Sequence, residues 1–127
     1  MPKQLLLIWA ILCSGVIAYF CLTDSSNLPV VNFPSIDKIV HFCFHFGFTI
    51  SWIVFFKKEL KGKDVNDYKA YFISFIFSVF FGITIEILQS VLTVTRASDV
   101  TDVLANALGA IVAVFTAIAL KKQIDRI

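Results

Sequence analysis

Four apolar runs limit what this chain can fold into. Leu5–Leu22 carries no charge, and Ile39–Phe56 is interrupted only by His41 and His45. Tyr71–Val94 is interrupted by Glu86 and Gln89, and Val103–Leu120 by Asn106. Each run reaches the roughly 17–25 residues that a helix needs to cross about 30 Å of hydrocarbon. At 58% hydrophobic and 16% charged, the chain is greasier than a soluble domain, which is about half apolar and a quarter charged. The runs predict an all-α, polytopic membrane protein: one domain over residues 1–127, a four-helix bundle with helices near 4–22, 38–57, 69–93 and 99–121. A scattered net charge of +2 gives no basis for nucleic-acid binding. The first run has spanning length and no small-x-small cleavage site after it, so it reads as a retained helix rather than a signal peptide. Cys13, Cys21 and Cys43 all lie in apolar runs, where they read as small buried hydrophobes rather than a disulfide framework.

Four spans put both termini and the loop from Lys57 to Lys69 on one side. That side holds Lys3, Lys57, Lys58, Lys61, Lys63, Lys69, Lys121, Lys122 and Arg126, and the other holds only Lys38 and Arg96. Positively charged segments stay in the cytoplasm, so the termini are expected there.

The polar residues within the runs then fall at one level. Asp37, His41 and His45 occupy the first turns of the second helix. Glu86, Gln89 and Ser90 lie near the end of the third, and Asp99, Asp102 and Asn106 begin the fourth. At about 100° per residue each trio forms a stripe. At about 1.5 Å rise per residue, His45 and Asn106 lie roughly 10–12 Å from their helix starts, with Glu86 at a similar depth. Such groups are costly in lipid and face a bundle interior or a wet cavity, where they pair with one another. The expectation is one polar cleft in the outer leaflet, open outward and lined by helices two, three and four.

The individual residues carry different expectations. Asp37 and Asp99 stand where helices begin and suit capping, and Asp99 with Asp102 imitates a capping box. Asp102 and Asn106 lie beyond capping reach, and Asp102 is expected to pair with Arg96 or His41. A lone carboxylate in "FFGITIEILQSVL" must be paired, neutral or in a cavity, so Glu86 is expected beside His41 or Arg96. His45, one turn deeper, reads as packing. Arg96 suits a bidentate clamp on a phosphate or carboxylate at the cleft mouth. Ala105, Gly109 and Ala113 recur every four residues, a spacing that permits close helix approach.

These residues also carry a family resemblance. "DKIVHFCFHFGF" (Asp37–Phe48), "GITIEILQSVLTVTRASDVTDVLANALGA" (Gly82–Ala110) and the four-helix layout resemble the VanZ-like family of small bacterial membrane proteins. The joint pattern D-K-x-x-H, E-x-x-Q, R, D-x-x-x-N-x-x-G is met here by Asp37, Lys38, His41, Glu86, Gln89, Arg96, Asp102, Asn106 and Gly109. The resemblance implies a multi-pass protein of the bacterial cytoplasmic membrane with a cell-envelope role. The family is named for a protein implicated in resistance to teicoplanin, a lipid-tailed glycopeptide.

The first expectation for function is therefore a binding protein. Asp37, Lys38, His41, Glu86, Gln89, Arg96, Asp99, Asp102 and Asn106 would line a site for the head group of an amphiphile. The expected partners are membrane lipids and either a lipid-linked cell-wall precursor or the glycopeptide itself. The alternative is an enzyme acting on a lipid-borne substrate, with His41, Glu86 and Asp102 as its acid–base set. A third possibility is an accessory subunit that uses the polar face only for helix association. The same polar set could hold a divalent metal, but His41 and His45 lack the intervening Glu of an H-E-x-x-H helix. No metal and no cofactor are expected.

Overall fold

The computed structural model describes residues 1–23, 36–94 and 99–127. Among these, α1 (Lys3–Leu22), α2 (Ile36–Leu60), α3 (Tyr68–Leu92) and α4 (Val100–Ala119) are long and apolar enough to span a membrane. A single turn, α5 (Lys121–Ile124), follows α4. No strand occurs among the described residues. The helix ends follow local chemistry. Lys57 and Lys58 carry α2 past its apolar run, where they suit the negative end of the helix dipole. Gly62, with φ of +83°, then turns the chain in a conformation that side chains rarely adopt.

Ties at the two ends fix the helices as antiparallel neighbours. At one end the Met1 ammonium donates to the Ile127 carbonyl at 2.6 Å, Lys3 pairs with Glu59 and Lys57 with Asp125. Lys121 pairs there with Asp67. Both termini and the α2–α3 connection therefore share the lysine-rich end. At the opposite end Gln89 donates to the Cys21 carbonyl at 2.6 Å, and Lys38 reaches Asp99 and Asp102.

Aromatic side chains fill the space between α1, α2 and α3. Phe48 stacks on Phe81 with ring centroids 4.4 Å apart, and Trp52 meets Phe77 edge-on at 4.7 Å. The Trp52 indole donates to Ser14 Oγ, so its polar edge is satisfied within the bundle. Large apolar side chains such as Leu12, Phe72, Phe80 and Phe115 point outward. In water that would be a liability, and around a membrane span it is the expected lipid face.

The α2–α4 contact is made by small residues. The buried seam of α4 runs through Gly109, Ala110, Ala113 and Ala117, while Ala105 is only half-buried. The stripe begun by Asp102 and Asn106 sets this register, about 100° round from Ala105. A Cβ on Gly109 would stand 2.2 Å from the Phe42 carbonyl oxygen, so only glycine permits the approach.

Gly109→Ala should consequently destabilise the protein by about 1–3 kcal/mol, the usual range for overpacking. Gly47, with nothing within 4 Å of its added Cβ, is the matched control. Gly47→Ala should be neutral or stabilising by up to about 1 kcal/mol. Unfolding of the two variants in detergent, followed by tryptophan fluorescence, measures both. Equal stability of Gly109→Ala and wild type would show that α2 and α4 have room to part.

Candidate functional site

The polar residues of three helices meet at the end opposite the lysine-rich one. The first turns of α2 present Asp37, Lys38 and His41, the last third of α3 presents Glu86, and the start of α4 presents Asp99, Asp102 and Asn106. Lys38 Nζ lies 2.7 Å from Asp37, 3.0 Å from Asp99 and 2.6 Å from Asp102 Oδ1. Asp37 and Asp99 are about half exposed, whereas the Asp102 side chain is 9% exposed.

Beneath this rim the groups are buried. His41 Nδ1 is 3.0 Å from Asn106 Oδ1 and 3.8 Å from Glu86 Oε1, and His41 Nε2 is 3.6 Å from Asp102 Oδ2. Glu86 Oε2 accepts from the Asp99 backbone N–H at 3.2 Å. One turn deeper, His45 Nδ1 lies 2.9 Å from Ser78 Oγ. Gly82 allows this level to close, since a Cβ there would meet Asn106 Nδ2 and His45 Cε1 at 3.0 Å. Glu86 Oε1 and Asn106 Nδ2 are buried without a hydrogen-bond partner. His41, Glu86 and Asn106 pack on one another, and cavities of about 280 and 350 Å³ lie elsewhere. The first sits among Lys57, Lys58 and Asp67, and the second on the outer face between Trp52 and Phe80.

Seven of the residues singled out in the sequence thus come together: Asp37, Lys38, His41, Glu86, Asp99, Asp102 and Asn106. Gln89 does not join them. It turns toward α1, while Ser90 faces outward and bonds back to the Ile87 carbonyl. Arg96 lies outside the described residues. The ammonium on Asp102 is that of Lys38, a pairing not foreseen from the sequence. Asp99 caps α4 by accepting from the Thr101 N–H at 2.9 Å. The reciprocal half of the capping box is absent, because the Asp99 N–H is taken by Glu86.

A family model described as VanZ/LLP1 matches residues 5–121, nearly the whole chain. The chain belongs to the VanZ/LLP1 family. No curated protein and no solved structure matches it.

The matched region takes in α2, α3 and α4 of this VanZ-family chain, α1 from Leu5 onward, and the entire polar cluster. Two features of that cluster escaped the sequence reading. Ser78, the partner of His45, lies on a Ser74–Ser78–Gly82 row that runs into Glu86 at four-residue spacing and was legible as a small buried face. The convergence of Lys38 on α2 and α4 had no local signal, because it depends on which helices are neighbours. Chemically, four carboxylates face one lysine and one histidine among the described residues. The cluster is suited to hold a cation or a hydrogen-bonding head group.

Asp99 gives this rim a measurable pH signature. Its hydrogen bonds from Thr101, and then the Lys38 ammonium, hold its carboxyl at about 2 against an ordinary 3.8. A depressed value means a stabilising contribution that is complete above the ordinary value and is lost as pH falls from 3.8 toward about 2. Wild type should therefore exceed Asp99→Asn in stability near neutrality, and the gap should close over that acid window. A gap that is unchanged through that range would mean Asp99 acts through packing alone.

Proposed function

We propose that the chain works in the bacterial cytoplasmic membrane with both termini cytoplasmic, and that its polar cluster binds the head group of an amphiphile from the outer leaflet. The ligand is a lipid-linked cell-wall precursor or a lipid-tailed glycopeptide of the teicoplanin kind. One observation carries this reading: polar groups from three helices are gathered at one end of the bundle, and two of their buried atoms lack a partner. Buried polar groups are nearly always hydrogen-bonded, so orphaned ones in such a place suit a ligand.

The roles divide by position. Lys38 exchanges one of its carboxylate partners for an anionic group of the head, a role that Arg96, which falls between α3 and α4 in sequence, would share. Glu86, Asp102 and Asn106 orient the head, and His41 couples them. Asp37 and Asp99 shape the mouth, and Gln89 holds α1 against α3. The orientation is supported by nine basic residues at the end carrying the termini. On a cysteine-free background, Val94→Cys should label with an impermeant thiol reagent in intact cells, and Lys61→Cys only after lysis. The reverse pattern would invert the protein and turn the cluster toward the cytoplasm.

The family role is tested through the lipid tail. Teicoplanin carries an acyl chain that vancomycin lacks, and each buried CH₂ adds about 0.8 kcal/mol of membrane anchoring. A site at membrane depth meets the anchored drug or its lipid-linked target. Expression in a sensitive Gram-positive host should raise tolerance to the tailed drug more than to vancomycin. His41→Ala, Glu86→Gln and Arg96→Ala variants that still accumulate should lose that selectivity. Equal protection against both drugs would favour the second reading, in which His41, with Glu86 and Asp102 on either side, performs acid–base chemistry on a lipid-borne substrate. No protection by stably inserted protein would remove the glycopeptide role from this chain.

A further inference from the structure

Three side chains of metal-binding type converge in the buried cluster, each with one atom engaged and one uncommitted. Asp102 Oδ1 is held by Lys38 at 2.6 Å, and Glu86 Oε2 by the Asp99 N–H at 3.2 Å. His41 Nδ1 is held by Asn106 Oδ1 at 3.0 Å. A carboxamide oxygen only accepts, so Nδ1 carries the hydrogen. In the neutral ring Nε2 then presents its lone pair. It faces Asp102 Oδ2 at 3.6 Å, beyond hydrogen-bond range, and a carboxylate has only lone pairs to offer in return. Glu86 Oε1, on a residue only 3% exposed, has no hydrogen-bond partner at all.

We propose that His41 Nε2, Asp102 and Glu86 hold a divalent first-row transition-metal ion, Zn²⁺ or Mn²⁺, where α2, α3 and α4 meet. One donor atom from each of the three residues lies within 4.8 Å of the other two. Ligands about 2.0–2.2 Å from a shared ion stand roughly 3–4 Å apart. Asp102 Oδ2 is already 3.6 Å from Nε2, and Glu86 Oε1, now 3.8 Å from Nδ1, turns toward Nε2 to complete the shell. The uncommitted atoms are acceptors, which a cation satisfies together.

The surroundings fit as well. Ligating histidines characteristically donate their other N–H to an acceptor, and ligating carboxylates are themselves hydrogen-bonded. Asn106, Lys38 and the Asp99 backbone supply those outer contacts. Among the described residues, the four carboxyl groups of Asp37, Glu86, Asp99 and Asp102 stand beside one ammonium, that of Lys38, an imbalance that a divalent ion offsets. One imidazole and two carboxylates suit Zn²⁺ or Mn²⁺. Cu⁺ prefers sulfur, and Ca²⁺ needs six to eight oxygens. Three protein ligands leave at least one coordination position for water or a ligand oxygen. The histidine pair considered from the sequence is not involved, since His45 belongs to Ser78. The site shares residues with the head-group reading but does not rest on it, because the metal alone is the ligand tested.

The full-length protein, purified in detergent without a histidine tag and stripped with chelator, is titrated with Zn²⁺ and with Mn²⁺ against a chromophoric competitor. One equivalent should bind and should raise the unfolding temperature of the wild type. His41→Ala and Glu86→Gln should weaken binding by at least about 10–100-fold, and Asn106→Ala should fall within that range through its outer contact. His45→Gln should bind as wild type does. Co²⁺ should give a ligand-field spectrum in wild type that disappears in His41→Ala. Absence of stoichiometric binding by wild type overturns the proposal without reference to any variant, and so does binding that His41→Ala and Glu86→Gln leave unchanged. If no metal binds while selectivity for the tailed drug persists, the metal is excluded and the head-group reading stands.

Discussion

Lys38 Nζ touches carboxylates at the starts of both α2 and α4, and the polar end of the bundle depends on that bridge. Asp102 is largely buried in a segment that otherwise suits hydrocarbon, where a charge without a partner is very costly. Lys38 compensates it while keeping its own ammonium partly in solvent, as long amphipathic side chains do. With Asp102 compensated, the next layer can form. His41 is drawn between Asp102 and Glu86, and Asn106 reaches the remaining ring nitrogen.

Backbone proximity makes that layer possible. Gly109 lets α4 approach the Phe42 carbonyl, and Gly82 lets α3 close on His45 and Asn106. A methyl group at either position would push against the contact that sets the distances in the cluster. The small residues and the polar residues therefore belong to one device: the seam brings the helices close, and closeness lets short side chains meet across them. The aromatic core around Phe48 and Trp52 supplies bulk below this level, with the Trp52 indole matched by Ser14.

Much of this was legible in the sequence because membrane spans are read by length and hydropathy, and inward faces by the polar residues they cannot otherwise accommodate. Asp37, His41, Glu86, Asp102 and Asn106 stood out for that reason. Gln89 stood out equally and faces α1, because one turn of α3 presents two inward directions and the sequence does not say which neighbour lies along each. His41 was an expected neighbour of Asp102 and is one, whereas Lys38 was not anticipated, for the same reason. Helical spacing relates residues within a helix, while Lys38 and Asp102 meet only through the packing of α2 on α4. Ser78 went unremarked because a serine in a span is usually satisfied by its own helix carbonyl, as Thr84 is by Phe80.

The two ends of the bundle differ in what their charges accomplish. At the lysine-rich end, the Lys3–Glu59 and Lys121–Asp67 pairs are exposed, and water screens such pairs until they contribute little to stability. Their sequence value lies in topology. At the other end, the acidic groups of Glu86 and Asp102 and the ring of His41 are withdrawn from water. Replacing a buried ionic group by apolar side chains of similar volume is often neutral or stabilising, so such groups are a poor way to hold helices together. Interhelical polar contacts in membranes return only about 0.6–2 kcal/mol each. A bundle that already has a glycine–alanine seam and an aromatic core has no structural need of two carboxylates and an imidazole at one level. Their presence beside an unsatisfied carboxylate oxygen is what the proposed ion or head group would account for.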